Sequence, residues 1–328
     1  MLTNKEQIKS YAIFVRSSYG DLLMTDPLIK YIKRLNTNNK ITLFVEDKNF
    51  QLVEFMENID SFYKIPSKGN KYLFFIFYGL KYRKNKYDVS IAAKTGVGSA
   101  NGFFQYMLGA KKQISYVSKN KTWTDMLVNC PITYSEEIYD SQHYALSVLQ
   151  LLDSKLTKLP HSLYPKLKSQ VNTGNNLKTK LLISVSNNRD SCLLNNKTIA
   201  SIINTISKEF KFDIYITALK SDYEKAFNLK KKIIPQSTIK LTPLLKDYLK
   251  LINSMDICFF GEGGGMHMAA ALGVQQIVLF GHTSTTTWSP LSNMATVLED
   301  KSNVNNIPTS KILDALKDKL KNIISNES

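Results

Sequence analysis

The chain has 328 residues, of which 43% are hydrophobic, and it carries a formal net charge of +16. This length and apolar content exclude wholesale disorder and allow two domains of ordinary size. The three cysteines, at positions 130, 192 and 258, are odd in number and far apart, which argues against a disulfide framework and against a metal site. The positive charge indicates an anionic partner, such as a nucleic acid, a phospholipid surface or a phosphorylated glycolipid; a lysine-rich surface without a ligand is equally compatible with it.

The N-terminal residues are charged, and apolar residues become frequent only from Tyr11, which is not the pattern of a secretory signal. The longest apolar and aromatic stretch, Tyr72–Leu80, is far shorter than the roughly 20 residues of a membrane span. We therefore expect a cytoplasmic protein that is not integral to a membrane. Basic residues flank the aromatic stretch between Lys68 and Lys86, which suits the surface of an anionic membrane; a packed helix with a lysine-rich end is the alternative.

Strands and helices alternate along residues 1–158. The predicted strands are Tyr11–Arg16, Ile41–Glu46, Ser61–Ile65, Tyr87–Ala93 and Gln113–Tyr116. The predicted helices are Asp21–Asn36, Asn49–Met56, Lys71–Tyr82, Asn101–Leu108 and Ser141–Leu152. Residues 159–179 are rich in Pro, Lys, Asn, Ser and Gly and lack hydrophobic periodicity, so we predict that they link two domains.

The same alternation returns along residues 180–328. The predicted strands are Lys180–Val185, Asp213–Ala218, Thr238–Leu241, Ile257–Phe260 and Ile277–Phe280, and the predicted helices include Lys197–Phe210, Asp222–Lys232, Pro243–Ser254 and Thr309–Ser325. Strands that alternate with helices form parallel sheets through right-handed crossovers. The sequence therefore predicts the α/β class, with two Rossmann-like domains, residues 1–158 and 180–328, facing across a cleft.

The most informative stretch, Asp256–Leu291, contains a glycine-rich elbow between two buried strands. Gly263, Gly264 and Gly265 open a short helix, and a glycine turn at a helix N-terminus offers free N–H groups and the positive end of the helix dipole to an anion. Because three consecutive glycines exceed what a turn needs, we predict that a phosphate or sugar nucleotide binds here; a tight turn without a ligand is the alternative.

Two stretches resemble motifs of glycosyltransferase family 9, the lipopolysaccharide heptosyltransferases and their relatives. GEGGGMHMAAALGVQQIVLFGHTSTTTWSPL, from Gly261, is similar to the donor-site signature of the family, and FVRSSYGDLLMTDPLIKYIK, from Phe14, is similar to its N-terminal motif. The resemblance covers nearly the whole chain, with the motifs in the right order. It implies a GT-B fold whose first domain binds the acceptor and whose second domain binds the donor.

The resemblance also implies transfer of a sugar from a nucleotide diphosphate without a metal ion or another cofactor. The donor suggested by the family is ADP-heptose, and the suggested acceptor is a lipopolysaccharide-core or similar anionic glycolipid at the inner face of the cytoplasmic membrane. Direct attack assisted by a base implies inversion at the anomeric carbon. Two alternatives remain open: a nucleotide-sugar epimerase of the same architecture, and a basic nucleic-acid-binding protein, for which no RNP-like motif is present.

Three candidate site residues follow from the matched motifs. Asp21, in the Gly-Asp motif, is expected to be the general base that takes the proton of the acceptor hydroxyl; an N-cap aspartate is the alternative. His267 matches the histidine of the family and is expected to contact the donor, with a packing role as the alternative. Glu262 stands where the family usually has aspartate and is expected to accept hydrogen bonds from sugar hydroxyls. Together with Gly263, it leaves the identity of the donor sugar open.

The loop after the first strand of the second domain supplies the remaining candidates. The resemblance implies that this loop contacts the diphosphate, which here involves Ser186, Asn187 and Arg189. The place of the usual family lysine falls on Cys192, so Arg189 or Lys197 is expected to supply the positive charge. An ordinary polar surface loop is the alternative.

Overall fold

The computed structural model describes residues 7–16, 18–94, 100–168 and 178–327; residues 326 and 327 are described as backbone only. The chain divides into two compact units, Met1–Pro165 (unit 1) and Lys166–Ser328 (unit 2). The residues on each side of this division form hydrogen bonds within their own unit. The carbonyl of Ser162 accepts a hydrogen bond from Arg34 Nη2 at 3.0 Å in unit 1, and Leu167 N donates to the carbonyl of Ala271 at 3.0 Å in unit 2.

Unit 1 contains one parallel six-stranded sheet in the order β3-β2-β1-β4-β5-β6. Its strands are β1 Ser10–Val15, β2 Lys40–Glu46, β3 Ser61–Ile65, β4 Val89–Ala92, β5 Lys112–Val117 and β6 Cys130–Thr133. Its helices are α1 Tyr19–Leu23, α2 Asp26–Leu35, α3 Phe50–Val53, α4 Lys71–Arg83, α5 Asn101–Leu108, α6 Glu136–Asp140 and α7 Tyr144–Gln150. This strand order is that of a dinucleotide-binding doubly wound sheet, in which ligands bind at the carboxyl ends of the strands where the order reverses. In unit 1 that switch point lies between β1 and β4.

Unit 2 repeats this topology, with the order β12-β11-β10-β7-β8-β9. Its strands are β7 Thr179–Ser184, β8 Phe212–Ala218, β9 Ser237–Leu241, β10 Ile257–Gly261, β11 Gln275–Phe280 and β12 Ala295–Glu299. Its helices are α8 Asn196–Ile206, α9 Tyr223–Lys230, α10 Leu245–Asn253, α11 Gly264–Leu272, α12 Thr285–Trp288 and α13 Thr309–Glu327. The switch point lies between β7 and β10. The two sheets confirm the prediction of two Rossmann-like halves.

The strands form because their apolar runs are covered on both faces of each sheet. In unit 2, for example, Ile183 of β7 belongs to one buried cluster with Ile203 of α8 and Leu320 of α13. In unit 1 the core is aromatic: the ring of Phe44 lies 5.3 Å from that of Phe104 and 5.5 Å from that of Tyr82. Because this packing orders the strand ends, the loops that follow them acquire defined positions.

The helix predicted over Asp21–Asn36 is two helices in the structure. The first begins at Tyr19, because Ser18 caps it, and the chain leaves the helix at Met24. Pro27 lacks the N–H that a continuous helix would direct to the carbonyl of Leu23, and it lies instead in the first turn of α2.

Two edge strands, β6 and β12, were not predicted. β6 has only four residues, includes Pro131 and alternates between half-buried and exposed positions, and β12 is only half-buried. Such strands lack the continuous apolar run that marks the central strands, and a proline inside a strand is typical of a sheet edge. Within the described ranges, no helix combines the length and the apolar character needed to cross a membrane.

Candidate functional site

The switch point of unit 2 brings together the loop after β7 and the elbow after β10. Asn187 Nδ2 donates a hydrogen bond to the carbonyl of Glu262 at 2.8 Å, and Arg189 Nη1 donates to Glu262 Oε1 at 3.0 Å. These contacts join residues that are 75 and 73 positions apart in the sequence. Parallel doubly wound sheets bind ligands at this position, so the predicted donor residues meet where a ligand is expected.

The carboxylate of Glu262 is the centre of this arrangement, and its residue is only 2% exposed. Besides Arg189, it accepts hydrogen bonds from three successive backbone N–H groups after β11: Thr283 at 3.1 Å to both oxygens, His282 at 3.3 Å and Gly281 at 3.4 Å. A buried carboxylate requires such compensation for its lost hydration. Both oxygens of Glu262 thus have partners within the protein, which favours a role in positioning the loops, and its contact with sugar hydroxyls stays a prediction.

The side chains of Ser186 and Asn187 brace the neighbouring loops. Ser186 Oγ accepts a hydrogen bond from Leu219 N at 2.8 Å, which ties the loop after β7 to the loop after β8. Asn187 Oδ1 accepts one from Arg189 N at 3.1 Å, while its amide group bonds to the elbow. The Arg189 side chain is 49% exposed and can present the rest of its guanidinium to an anion. Of this loop, Arg189 is therefore the residue best placed for a diphosphate.

Two of the three elbow glycines have a structural reason of their own. Gly263 has a φ of 155°, a conformation that residues with a side chain rarely adopt, and it is the N-cap of α11. A Cβ on Gly265 would lie 2.5 Å from Tyr248 Oη, so a larger residue would displace that ring. The three glycines are thus weaker support for a ligand than the sequence suggested. The α11 N-terminus that they form still offers backbone N–H groups without intrahelical partners.

His267 is 3% exposed and lies in the first turn of α11. Its ring stands edge-on to that of Trp288 of α12, with the centroids 6.4 Å apart. This packing favours the alternative role given above, and contact between His267 and the donor stays a prediction.

Cys192 and Lys197 occupy different environments. Cys192 is buried, and burial raises the pKa of its thiol, so it holds no charge at neutral pH. Its carbonyl would lie 2.0 Å from a Cβ on Gly261, which is why β10 ends in glycine. Lys197 is exposed in the first turn of α8.

Asp21 lies after β1, at the switch point of unit 1. It is the third residue of α1, and its Oδ2 accepts hydrogen bonds from Ser18 N at 2.9 Å and from Ser18 Oγ at 2.6 Å. The two residues form a capping box, so the N-cap is Ser18 and Asp21 closes the motif from inside the helix. The capping contact orients the carboxylate, and the side chain is only half-buried.

A group of charged side chains that the sequence analysis missed lies at the same edge of unit 1. Glu46, 4% exposed at the end of β2, accepts from Arg16 Nε at 2.7 Å and pairs with Lys48 Nζ at 2.9 Å. Tyr19 of α1 donates its hydroxyl to the carbonyl of Lys48 at 2.9 Å. The sequence feature that could have revealed this group is the position of Arg16 and Glu46 at the ends of two predicted strands that become neighbours in a parallel sheet.

The loop from Gly281 to Thr283 lies within the stretch that resembles the donor-site signature, but none of its residues was predicted as a site residue. A Cβ on Gly281 would lie 2.4 Å from the carbonyl of Ser191, so this glycine permits close packing of the loops. Its place directly after a buried strand, at the same edge as the elbow, was the available signal.

Comparisons with known proteins point to one family. The model of glycosyltransferase family 9 (heptosyltransferase) matches residues 79–319. The curated "Lipopolysaccharide heptosyltransferase 1" of Campylobacter coli is 24% identical over 294 residues, which are 83% of this chain and 84% of that protein.

Solved structures agree with this match. A glycosyl transferase family 9 protein of Veillonella parvula superposes with a TM-score of 0.81 and 13% identity, covering 96% of this chain and 97% of the other. The ADP-heptose LPS heptosyltransferase II of E. coli gives a TM-score of 0.78 and 15% identity, covering 98% and 100%. At these identities the two structures establish a shared fold.

Proposed function

The chain belongs to glycosyltransferase family 9. From this premise we propose that it transfers a heptose or a related sugar from an ADP-sugar donor to a lipopolysaccharide-core or similar anionic glycan. The predicted enzyme class and the GT-B fold are confirmed by the family match and by the likeness to solved structures. Family membership also favours sugar transfer over the epimerase and the nucleic-acid-binding protein.

The observation that carries the donor assignment is the joining of three loops by Glu262 at the β7–β10 switch point. Glu262 binds Arg189 after β7 and the N–H groups of Gly281 to Thr283 after β11, and it stands at the entrance to α11. The diphosphate would lie against the N-terminus of α11 and the exposed part of Arg189, where N–H groups, helix dipole and guanidinium all favour negative charge. ADP-heptose is our candidate donor because a similar structure is named an ADP-heptose heptosyltransferase.

Asp21 is the proposed base. The acceptor hydroxyl gives its proton to the Asp21 carboxylate while its oxygen attacks the anomeric carbon of the donor. The bond from that carbon to the diphosphate breaks, and ADP leaves with the electron pair. The α11 N-terminus and Arg189 stabilise the charge that develops on the diphosphate, without a metal ion. A single displacement of this kind inverts the anomeric configuration.

The group of charged side chains formed by Arg16, Glu46 and Lys48, at the same edge of unit 1 as Asp21, supports an anionic acceptor. Arg16 and Lys48 are held beside Glu46, and Lys48 is 57% exposed, so it can meet a carboxylate or phosphate of the glycan. Because we propose a glycolipid acceptor, we place the enzyme in the cytoplasm, peripherally on the inner face of the cytoplasmic membrane.

The proposal is tested by ADP release from ADP-heptose in the presence of a deacylated core glycan. We expect release that requires both substrates, persists in EDTA and gives a product of inverted configuration by NMR. We also expect ADP at about 100 times its dissociation constant to stabilise the protein by about 2.7 kcal/mol. Isomerisation of the donor without acceptor would overturn sugar transfer, and a lack of stabilisation by every nucleoside diphosphate would overturn the donor site.

A further inference from the structure

Helix α4 of unit 1 exposes a row of large apolar side chains. The row consists of Leu73, Ile76, Phe77 and Leu80, which are 62%, 37%, 61% and 52% exposed. Their spacing places them on one face of the helix, which we call the outward face. A monomeric protein gains nothing from presenting such a contiguous row to water, and such patches mark interaction sites.

The opposite side of α4 is already used by the fold. Phe75 is 1% exposed, and a Cβ on Gly79 would lie 2.5 Å from Met107 Cβ in α5, so the two helices pack closely. Both the inward side and the outward face of α4 are therefore apolar. Helices of this composition are normally buried on every side, whereas the outward face of α4 remains exposed.

Basic side chains frame the outward face. With about 3.6 residues per turn, Lys81 and Arg83 fall on opposite edges of the apolar row, and Lys84 follows at the end of the helix. All three are exposed, and Lys81 Nζ lies 5.9 Å from the centre of the Phe77 ring. An apolar stripe with cationic edges matches the boundary between acyl chains and anionic headgroups.

Trp123 continues the exposed apolar surface at the first turn of α4. It is 54% exposed, and its ring lies 5.9 Å from that of Tyr72 and 5.6 Å from that of Phe103. Trp123 follows β5 and the first turn of α4 follows β3, so both lie toward the carboxyl edge of the sheet, as Asp21 does. Tryptophan is favoured where an apolar surface meets water and headgroups.

We propose that the outward face of α4, with Trp123, docks unit 1 on an anionic lipid bilayer. The helix has 13 residues, about 20 Å, so it can lie in the plane of the headgroups but cannot span the bilayer. A second copy of the chain fits less well, because a two-fold contact would bring the same basic edges together. The inference deepens the proposed function, on which it rests for a glycolipid acceptor, by naming the surface that meets the lipid.

The test measures co-sedimentation with vesicles of phosphatidylcholine alone and of phosphatidylcholine mixed with an equal part of phosphatidylglycerol. We expect binding to the anionic vesicles only, weakened at high salt. The variant L73Q/F77Q should bind at least about tenfold more weakly, because each side chain would otherwise leave water. The matched control I234Q/M294Q removes two exposed apolar side chains from unit 2 and should bind like the wild type. Glutamine retains helix propensity at Leu73 and Phe77, and Ile234 and Met294 lie outside the helices and strands, so circular dichroism should show both proteins folded.

Any of three results would overturn the proposal. The first is a wild-type protein that does not bind anionic vesicles, the second is a variant L73Q/F77Q that binds them as tightly as the wild type, and the third is a control I234Q/M294Q that loses as much binding as L73Q/F77Q. A wild-type dimer that L73Q/F77Q converts to a monomer, without vesicle binding, would instead assign the face to self-association. Turnover of the deacylated acceptor should be equal in both variants. Because vesicle binding needs no turnover, failure of the docking face and failure of the proposed function are distinguished.

Discussion

Replacing Glu262 with glutamine tests whether this residue organises the site or contacts the sugar. The substitution keeps the shape of the side chain but removes its charge, and one of its two acceptor oxygens becomes an NH2 group. That group would face N–H donors of the loop after β11, of which Thr283 is the nearest at 3.1 Å. It would also weaken the pair with Arg189, whose side chain is half exposed.

The expected cost of Glu262→Gln is the sum of two losses. Hydrogen bonds to a buried charged group contribute about 1.5–3 kcal/mol, and the partly exposed ion pair contributes about 1 kcal/mol or less. The total is about 2–4 kcal/mol of the free energy of unfolding. For a unit of this size, that lowers the melting temperature of unit 2 by roughly 4–16 °C. Differential scanning calorimetry measures it, with Glu299→Gln, an exposed carboxylate at the end of β12, as the matched control.

Nucleotide binding separates the two roles of Glu262. If Glu262 positions the loops, Glu262→Gln lowers the affinity for ADP and the affinity for ADP-heptose by the same factor in calorimetric titration, because the sugar does not contact Glu262. If Glu262 bonds to the sugar, stability and ADP affinity are retained and only ADP-heptose binds more weakly. The second pattern would refute the positioning role.

Two further predictions concern Asp21 and Asp300. In Asp21→Asn, the amide oxygen can still accept from Ser18, so stability and ADP affinity should be retained while ADP release slows by about 100- to 10,000-fold; full turnover would contradict the base assignment. Asp300 accepts hydrogen bonds from Ser302, Asn303 and Asn306, and the Ser302 hydroxyl is the largest cause that lowers its pKa from the ordinary 3.8 to about 2. Its charge is favoured in the folded state, so this stabilisation is present above pH 3.8 and is lost as the pH falls to about 2. Asp300→Asn should therefore melt earlier at neutral pH and like the wild type at pH 2; a difference that stays constant between these values would argue against the titration.

The order of elements and the two-part architecture could be predicted from the sequence. The apolar runs of β1, β2, β7, β10 and β11 are local signals, since a strand covered on both faces needs consecutive apolar residues. The glycine elbow and the Gly-Asp motif placed the two candidate halves of the site at the ends of strands. The edge strands β6 and β12 were not predicted, because their partly exposed residues do not form a continuous apolar run.

The tertiary structure alone decided which groups meet. Periodicity marked Glu262 as a carboxylate at the end of a strand, but only the packed sheet places it against Arg189, 73 residues away, and against the N–H groups of the loop after β11. Likewise, the sequence could not decide between a ligand contact and a packing role for His267, which lies beside Trp288. A continuous apolar run in the local sequence identifies a central strand, because such a strand is covered on both faces. The partner of a buried polar group depends on strand order and loop packing, which join residues far apart in the chain.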